Sequence, residues 1–195
     1  VTKFAAFPTA LAGISARMAA DSPNLVVVHG KKKLHILAKN RLDALNQAWV
    51  QETGRRPFKV ASGWRRHRWK SRAHYDQVMI RKYGSVREGR KWMAYASAHE
   101  TGLAIDFGNN GLQPKKATAA KQRKTLAYKW LVANAHKFGI APYKKEPWHW
   151  EVQIPRESWN SGQEFAQNYE VYVEEKSIQS GKLTRDRMFA RQAFT

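Results

Sequence analysis

The sequence predicts an α+β fold. Two observations carry that expectation. Short strand-like alternations recur along the chain, and helix-like runs fall between them without regular βαβ interleaving. Residues 24–37, "NLVVVHGKKKLHIL", read as a hairpin turning at His29-Gly30, with Leu34 and Ile36 alternating against His35. Residues 38–53 place Leu42, Leu45, Ala48 and Trp49 at helical spacing, and Gly54 stands where a C-cap belongs. "PFKVASGW" (57–64) returns to alternation, and 72–83 read as a helix ending before Gly84. "LAIDFG" (103–108) sets Leu103, Ile105 and Phe107 against Ala104 and Asp106. A lysine-rich stretch containing Pro114 leads into a helix of about 20 residues that ends before Gly139. "PWHWEVQI" (147–154) is a further strand, and 160–195 read as polar and mostly helical. The expected organisation is an N-terminal segment (1–23), one domain (24–158) and a helical extension packed on it (159–195).

The chain of 195 residues suits one domain with a sizeable core. No apolar run approaches the ~18–20 residues of a membrane helix, so no membrane span is expected. Residues 1–20 are apolar and alanine-rich, but Pro8, Gly13 and Arg17 interrupt the apolar core that a signal peptide needs. Cysteine is absent, which excludes disulfides and thiolate-bound metals. The 35 Lys and Arg against 15 Asp and Glu give a formal charge of +20, which points to an anionic environment: nucleic acid, anionic lipid or a polyanionic envelope.

Polar residues stand in three places where a core strand would not want them: His99 with Asp106, Glu146 with His149 in "EPWHW", and Ser62 to Arg65 in "SGWR". A single histidine beside an apolar strand is ordinarily a hydrogen-bonded core residue. Asp106 is harder to place that way, because a buried carboxylate is costly unless paired or metal-bound. Together, His99, Asp106 and His149 offer two imidazoles and one carboxylate, a donor set that suits zinc with one open position for water. His99-Glu100 also opens the H-E-x-x-H pattern, but Leu103 stands where the second histidine belongs. A carboxylate that is not a ligand must take the water's proton. Glu100, Glu146 and Glu151 are the candidates. In a regular strand Glu151 shares the face of His149 and Glu146 lies opposite, but Pro147 breaks the strand's start and lets Glu146 turn inward.

Ser97, His99, Gly102, Ala104 and Asp106 match S-x-H-x-x-G-x-A-x-D, and Glu146, Trp148 and His149 match E-x-W-H. Both motifs resemble the VanY-type D-alanyl-D-alanine carboxypeptidases, within the wider zinc group that includes lysostaphin-like peptidases and the hedgehog domain. The resemblance covers roughly residues 30–155. It implies a small, mostly antiparallel sheet carrying the zinc site, flanked by helices. It also implies one zinc ion on His99, Asp106 and His149, Glu146 as general base, Arg65 as oxyanion stabiliser, and Ser62, Ser97, Trp64 and Trp148 beside the substrate. Trp64 departs from the family's usual tyrosine. Glu100 becomes a supporting residue of the loop.

The implied activity is hydrolysis of an amide bond in peptidoglycan stem peptides, D-alanyl-D-alanine carboxypeptidase first. A phage-type L-alanyl-D-glutamate endopeptidase, an endolysin on the same scaffold, is the alternative. The expected partners are the stem peptide and anionic envelope polymers, and a monomer is expected. The expected location is the cell envelope, periplasmic or secreted, or the host wall after phage delivery. A competing reading takes "GRRPFKVASGWRRHRWKSR" (54–72), with Phe58, Trp64 and Trp69 among basic residues, as a single-strand nucleic-acid binder. That reading leaves Asp106, Glu146 and His149 unexplained.

Overall fold

A computed structural model describes residues 17–108, 112–164, 169–172 and 189–192. The chain opens with the hairpin β1 (Leu25–His29) and β2 (Lys32–His35), turning at the predicted place. β2 then passes directly into helix α1 (Ile36–Thr53), so Ile36 is helical and not a strand residue. His35 is the reason. Its Nδ1 accepts from Leu37 N–H at 3.1 Å and its Nε2–H donates to Trp159 O at 2.9 Å, a histidine N-cap fixed in one tautomer. Gly54 closes α1 as the sequence predicts.

The main sheet has four strands in the order β3-β4-β6-β5, all neighbours antiparallel. They are β3 (Val60–Ser62), β4 (Ala104–Phe107), β5 (Ile140–Tyr143) and β6 (Glu146–Val152). Successive side chains point to opposite faces. Ile105, Phe107, Trp150 and Val152 therefore join the main core, with Leu37, Leu42, Leu45 and Trp49 of α1. Burying each such apolar side chain contributes about 1.5–3 kcal/mol. An aromatic stack of Trp49 and Phe58 (ring centroids 4.8 Å apart), with Phe107 5.2 Å from Phe58, fills its centre. The opposite face carries Ala104, Asp106, His149 and Glu151.

A second, smaller core lies between β3 and β4 in sequence. Helices α2 (Arg72–Tyr83) and α3 (Val86–Gly89) bury Trp69, Tyr75 and Met79 against Val78, Val86, Met93 and Tyr95. Trp69 Nε1 donates to Ala94 O at 3.2 Å and Tyr75 Oη to Met93 O at 2.7 Å. These bonds satisfy the buried polar tips and pin segment 92–95 to the helices. The limits of α2 match the predicted 72–83.

Two expectations need correction. The single long helix before Gly139 is broken. A 3₁₀ turn (Lys116–Thr118) and α4 (Ala119–Lys124) precede α5 (Leu126–Asn134), and a second 3₁₀ turn (Ala135–Phe138) follows it. Thr125, at φ −69° and ψ 149°, is extended, and its Oγ1 accepts from Tyr128 N–H at 3.1 Å. Its hydroxyl starts a new helix instead of continuing the old one. The tail expected to be helical contributes α6 (Arg156–Ser161), and then an antiparallel strand pair, β7 (Tyr169–Tyr172) with β8 (Phe189–Gln192). The rest of 165–195, and 1–16, lie outside the described residues. No helix among the described residues is long and apolar enough to cross a membrane.

Candidate active site

The sheet register brings the first two site residues together. Asp106 on β4 stands opposite His149 on β6, and Ala104 stands opposite Glu151. The small Ala104 leaves room for the Glu151 side chain. His99 arrives from the 3₁₀ turn Ala98–Thr101 just before β4. His99 Nε2 lies 3.2 Å and His149 Nδ1 3.0 Å from the same oxygen, Asp106 Oδ1. The ligand-capable atoms of all three residues lie within 4.8 Å of one another, and all three residues are buried.

Both imidazoles are oriented from behind. His99 Nδ1–H donates to Gly63 O at 2.7 Å, which leaves Nε2 as the lone-pair nitrogen facing Asp106. His149 Nε2–H donates to Glu151 Oε1 at 2.9 Å, which leaves Nδ1 facing Asp106. Gly63 must be glycine to serve: a Cβ there would stand 2.3 Å from Lys33 O, a backbone atom. Gly102, at φ +75°, lets the 3₁₀ turn end against His35, whose backbone N would lie 2.9 Å from an added Cβ.

The electrostatics have clear signs. Burial disfavours the charged form of Asp106, yet the hydrogen bond from His149 and the two imidazoles beside it hold its carboxyl well below the usual range. Burial likewise works against a charged His149, but the Asp106 and Glu151 carboxylates outweigh it and push the imidazole up to about 9. Burial lowers the pKa of His99 despite its Asp106 neighbour, and the charges of His149 and Arg65 push it the same way. His99 Nε2 is buried and, although close to Asp106, makes no hydrogen bond of proper geometry. An orphaned imidazole nitrogen, a carboxylate kept ionised and a second imidazole held by a proton on Nδ1 form a site that a dication would satisfy. Its two-nitrogen, one-oxygen donor set fits zinc.

A cleft of about 410 Å³ opens over these groups. Arg65, Ser97, His99, Tyr143, Glu146, His149 and Glu151 line it. Glu146 enters because the β5–β6 pairing is irregular: Pro142 pairs with Trp150 and the next residue, Tyr143, pairs with Glu146. A regular strand would have turned Glu146 away, so the irregular pairing between Glu146 and Trp150 accounts for its placement. Glu151 is present too, but its carboxylate is tied to His149. Ser62, Trp64 and Trp148 are not among the lining residues. Ser62 pairs in register with Asp106, Trp64 donates from Nε1 to Met18 O at 3.2 Å, and Trp148 is buried.

Several supporting residues surround these groups. Glu100 is only 5% exposed, and its Oε1 accepts from Ser97 N–H at 3.2 Å while Ser97 Oγ accepts from His99 N–H at 3.3 Å. Its other oxygen meets His67 Nδ1 at 3.0 Å and Arg17 Nε at 3.3 Å. The Ser-x-x-Glu spacing is a capping-box signal, and it gives a local reason for the supporting role that the resemblance implied for Glu100. Nothing local marked Gly63 O, His67, Arg17 or Tyr143.

Comparison with known sequences decides the family. The VanY model, described as D-alanyl-D-alanine carboxypeptidase, matches residues 31–154. The chain belongs to the VanY family. Its expected class, a zinc peptidase acting on peptidoglycan, is that of the family. Comparison with curated proteins gives no match. Among solved structures, the LdcB LD-carboxypeptidase is similar at 23% identity and a TM-score of 0.48, over 73% of this chain and 75% of that one. VanYB in complex with D-alanine-D-alanine is similar at 22% identity and a TM-score of 0.44, over 76% and 89%. A mutant of the vancomycin resistance D,D-pentapeptidase VanY in complex with Zn(II) gives 21% and 0.44, over 76% and 90%.

Proposed function

We propose that this VanY-family chain is a zinc carboxypeptidase that hydrolyses the D-alanyl-D-alanine bond of peptidoglycan stem peptides in the cell envelope. The observation that carries the reading is the buried His99–Asp106–His149 cluster under an open cleft that also holds Glu146 and Arg65. His99 Nε2, an Asp106 oxygen and His149 Nδ1 would hold the ion. When bound, zinc supplies a Lewis acid that lowers the pKa of its water toward neutrality.

The chain's own residues do the rest. Glu146, half-buried at the cleft and not tied to an imidazole, accepts the proton from water and returns it to the leaving amine. Arg65 stabilises the negative charge that develops on the carbonyl oxygen. Glu151 holds His149 in its tautomer, and Gly63 O does the same for His99. The reading is tested by digesting purified muropeptides with the zinc-loaded protein and weighing the products by mass spectrometry. Loss of one terminal D-alanine supports it. Release of the stem peptide from D-glutamate onward, with L-alanine left on the muramyl group, identifies an L-alanyl-D-glutamate endopeptidase, and intact muropeptides remove the reading altogether.

A further inference from the structure

The cleft is longer than the metal cluster and its base require. Beyond Arg65 its lining continues along the flap that follows β3, through Arg66, Arg68, Trp92 and Met93. Arg66 and Arg68 are both exposed. Neighbouring arginines of this region have carboxylate partners: Arg17 meets Glu100 and Arg72 meets Asp76. Among the described residues no carboxylate pairs with Arg66 or Arg68, and Arg68 only rests its guanidinium 5.8 Å from the Trp69 ring centroid. At the rim, Trp92 is 59% exposed, an unusual placement for the largest side chain, and Lys116 Nζ lies 4.0 Å from its ring centroid. The acidic residues of the cleft are spoken for. Glu100 bonds Arg17 and His67, Glu151 bonds His149, and Glu146 is the base.

We propose that the flap wall formed by Arg66, Arg68 and Trp92 is a second binding subsite, which takes a side-chain carboxylate of the peptide being cut, away from the scissile bond. This deepens the proposed function and rests on it. Continuity selects the ligand. Whatever lies along this wall shares one cleft with the reacting centre, so its anion belongs to the substrate chain and not to a separate polymer. Two guanidiniums without a carboxylate partner among the described residues supply planar donor pairs that match carboxylate geometry, and the Trp92 face accepts the apolar stem beside them. The substrate class is therefore an acidic peptide, in which a free carboxylate is preferred to the same residue carrying a carboxamide.

The test uses two peptides identical at the cleaved bond, one bearing a side-chain carboxylate upstream and one the corresponding carboxamide. Binding to the zinc-loaded protein is read by calorimetry and cleavage by product release. Exposed charge contacts are individually weak, so a preference for the carboxylate of about three- to tenfold in both readouts is expected. It should shrink at 1 M salt, where the Debye length is about 3 Å. The double variant Arg66→Gln/Arg68→Gln should bring the ratio close to one. Arg81→Gln/Lys121→Gln removes the same charge elsewhere and should keep the ratio. Equal handling of the two peptides by the unmodified protein, an equal fall in the ratio for both double variants, or no binding of either peptide overturns the subsite. Charge-selective binding without cleavage supports the subsite and removes the peptidase reading instead.

Discussion

The cleft has two kinds of wall. One is the face of the main sheet, where Asp106 stands opposite His149 and the His149 imidazole bonds both Asp106 and Glu151. The other is the helical flap, which has its own small core of Trp69, Tyr75 and Met79 and presents arginines to water. The sheet wall is buried, so its charges depend on one another: removing one leaves the others unpaired in a low-dielectric setting. The flap wall is solvated, so its charges act singly and weakly. Chemistry is expected to fail abruptly when the first wall is altered, and preference to drift when the second is.

The largest break should come from His149→Ala, which removes a proposed zinc ligand and the partner of both Asp106 and Glu151. Bound zinc, measured by atomic absorption on the purified protein, should fall from about one per chain to near none, and turnover with it. Retention of stoichiometric zinc would detach His149 from the metal. Next in size is Arg65→Ala. Removing a donor that acts on developing charge costs on the order of a hundredfold in kcat, whereas Arg66→Ala should act on KM and by only a few fold. Equal small effects at both positions would make Arg65 one surface arginine among several.

Gly63→Ala probes orientation without touching a ligand. The new Cβ must displace the backbone at Lys33, so the Gly63 carbonyl no longer holds His99 Nδ1–H. Zinc affinity, read by competition with a chelator, should fall about 10- to 100-fold. Met79→Ala acts only on the flap. A fully buried side chain is lost from the small core, at a cost of about 2–5 kcal/mol. Hydrogen exchange should quicken across 72–95 while zinc content stays unchanged. Loss of zinc in this variant would show that the two walls are not separable.

The smallest effect is on pH. In the metal-free protein the pKa of His149 is raised to about 9. The folded state therefore holds a proton that the unfolded chain has lost. That stabilisation is complete below the unfolded value of about 6.5 and disappears as pH climbs through about 9. Urea midpoints of chelated protein should fall between pH 7 and 9.5. Zinc displaces that proton, so loaded protein should show little of the decline. The same slope in both states would contradict the shift.

Much of the sheet wall was legible in the sequence, and little of the flap wall. His99, Asp106 and His149 stood out because buried titratable groups in apolar strands need a reason. The hairpin at His29-Gly30 and the C-terminal ends of α1 and α2, before Gly54 and Gly84, were marked by local signals. What was hidden depended on contacts distant in sequence. Gly63 O reaches His99 across 36 residues, and His35 caps α1 while bonding Trp159 across 124. Thr125 concealed a helix break because threonine is tolerated within helices as well as before them. The strand β7, "YEVY", carried an aromatic and β-branched signal that its polar surroundings obscured. The flap's role as a wall followed from packing alone, since its arginines read as one basic run among many.

The central claim is that Glu146, and not Glu151 in the same cleft, handles the proton while the three ligands hold zinc. It is tested most directly by measuring zinc content and terminal D-alanine release on Glu146→Gln and Glu151→Gln prepared side by side. Glu146→Gln should keep about one zinc and its folded spectrum, yet lose about 10²- to 10⁴-fold in turnover, because an amide cannot accept the proton. Glu151→Gln keeps an oxygen that accepts from His149 and should be far milder, with at most a modest fall in zinc affinity. The reverse pattern, with Glu151→Gln inactive and Glu146→Gln near normal, would contradict the account and make the strand-face carboxylate the base.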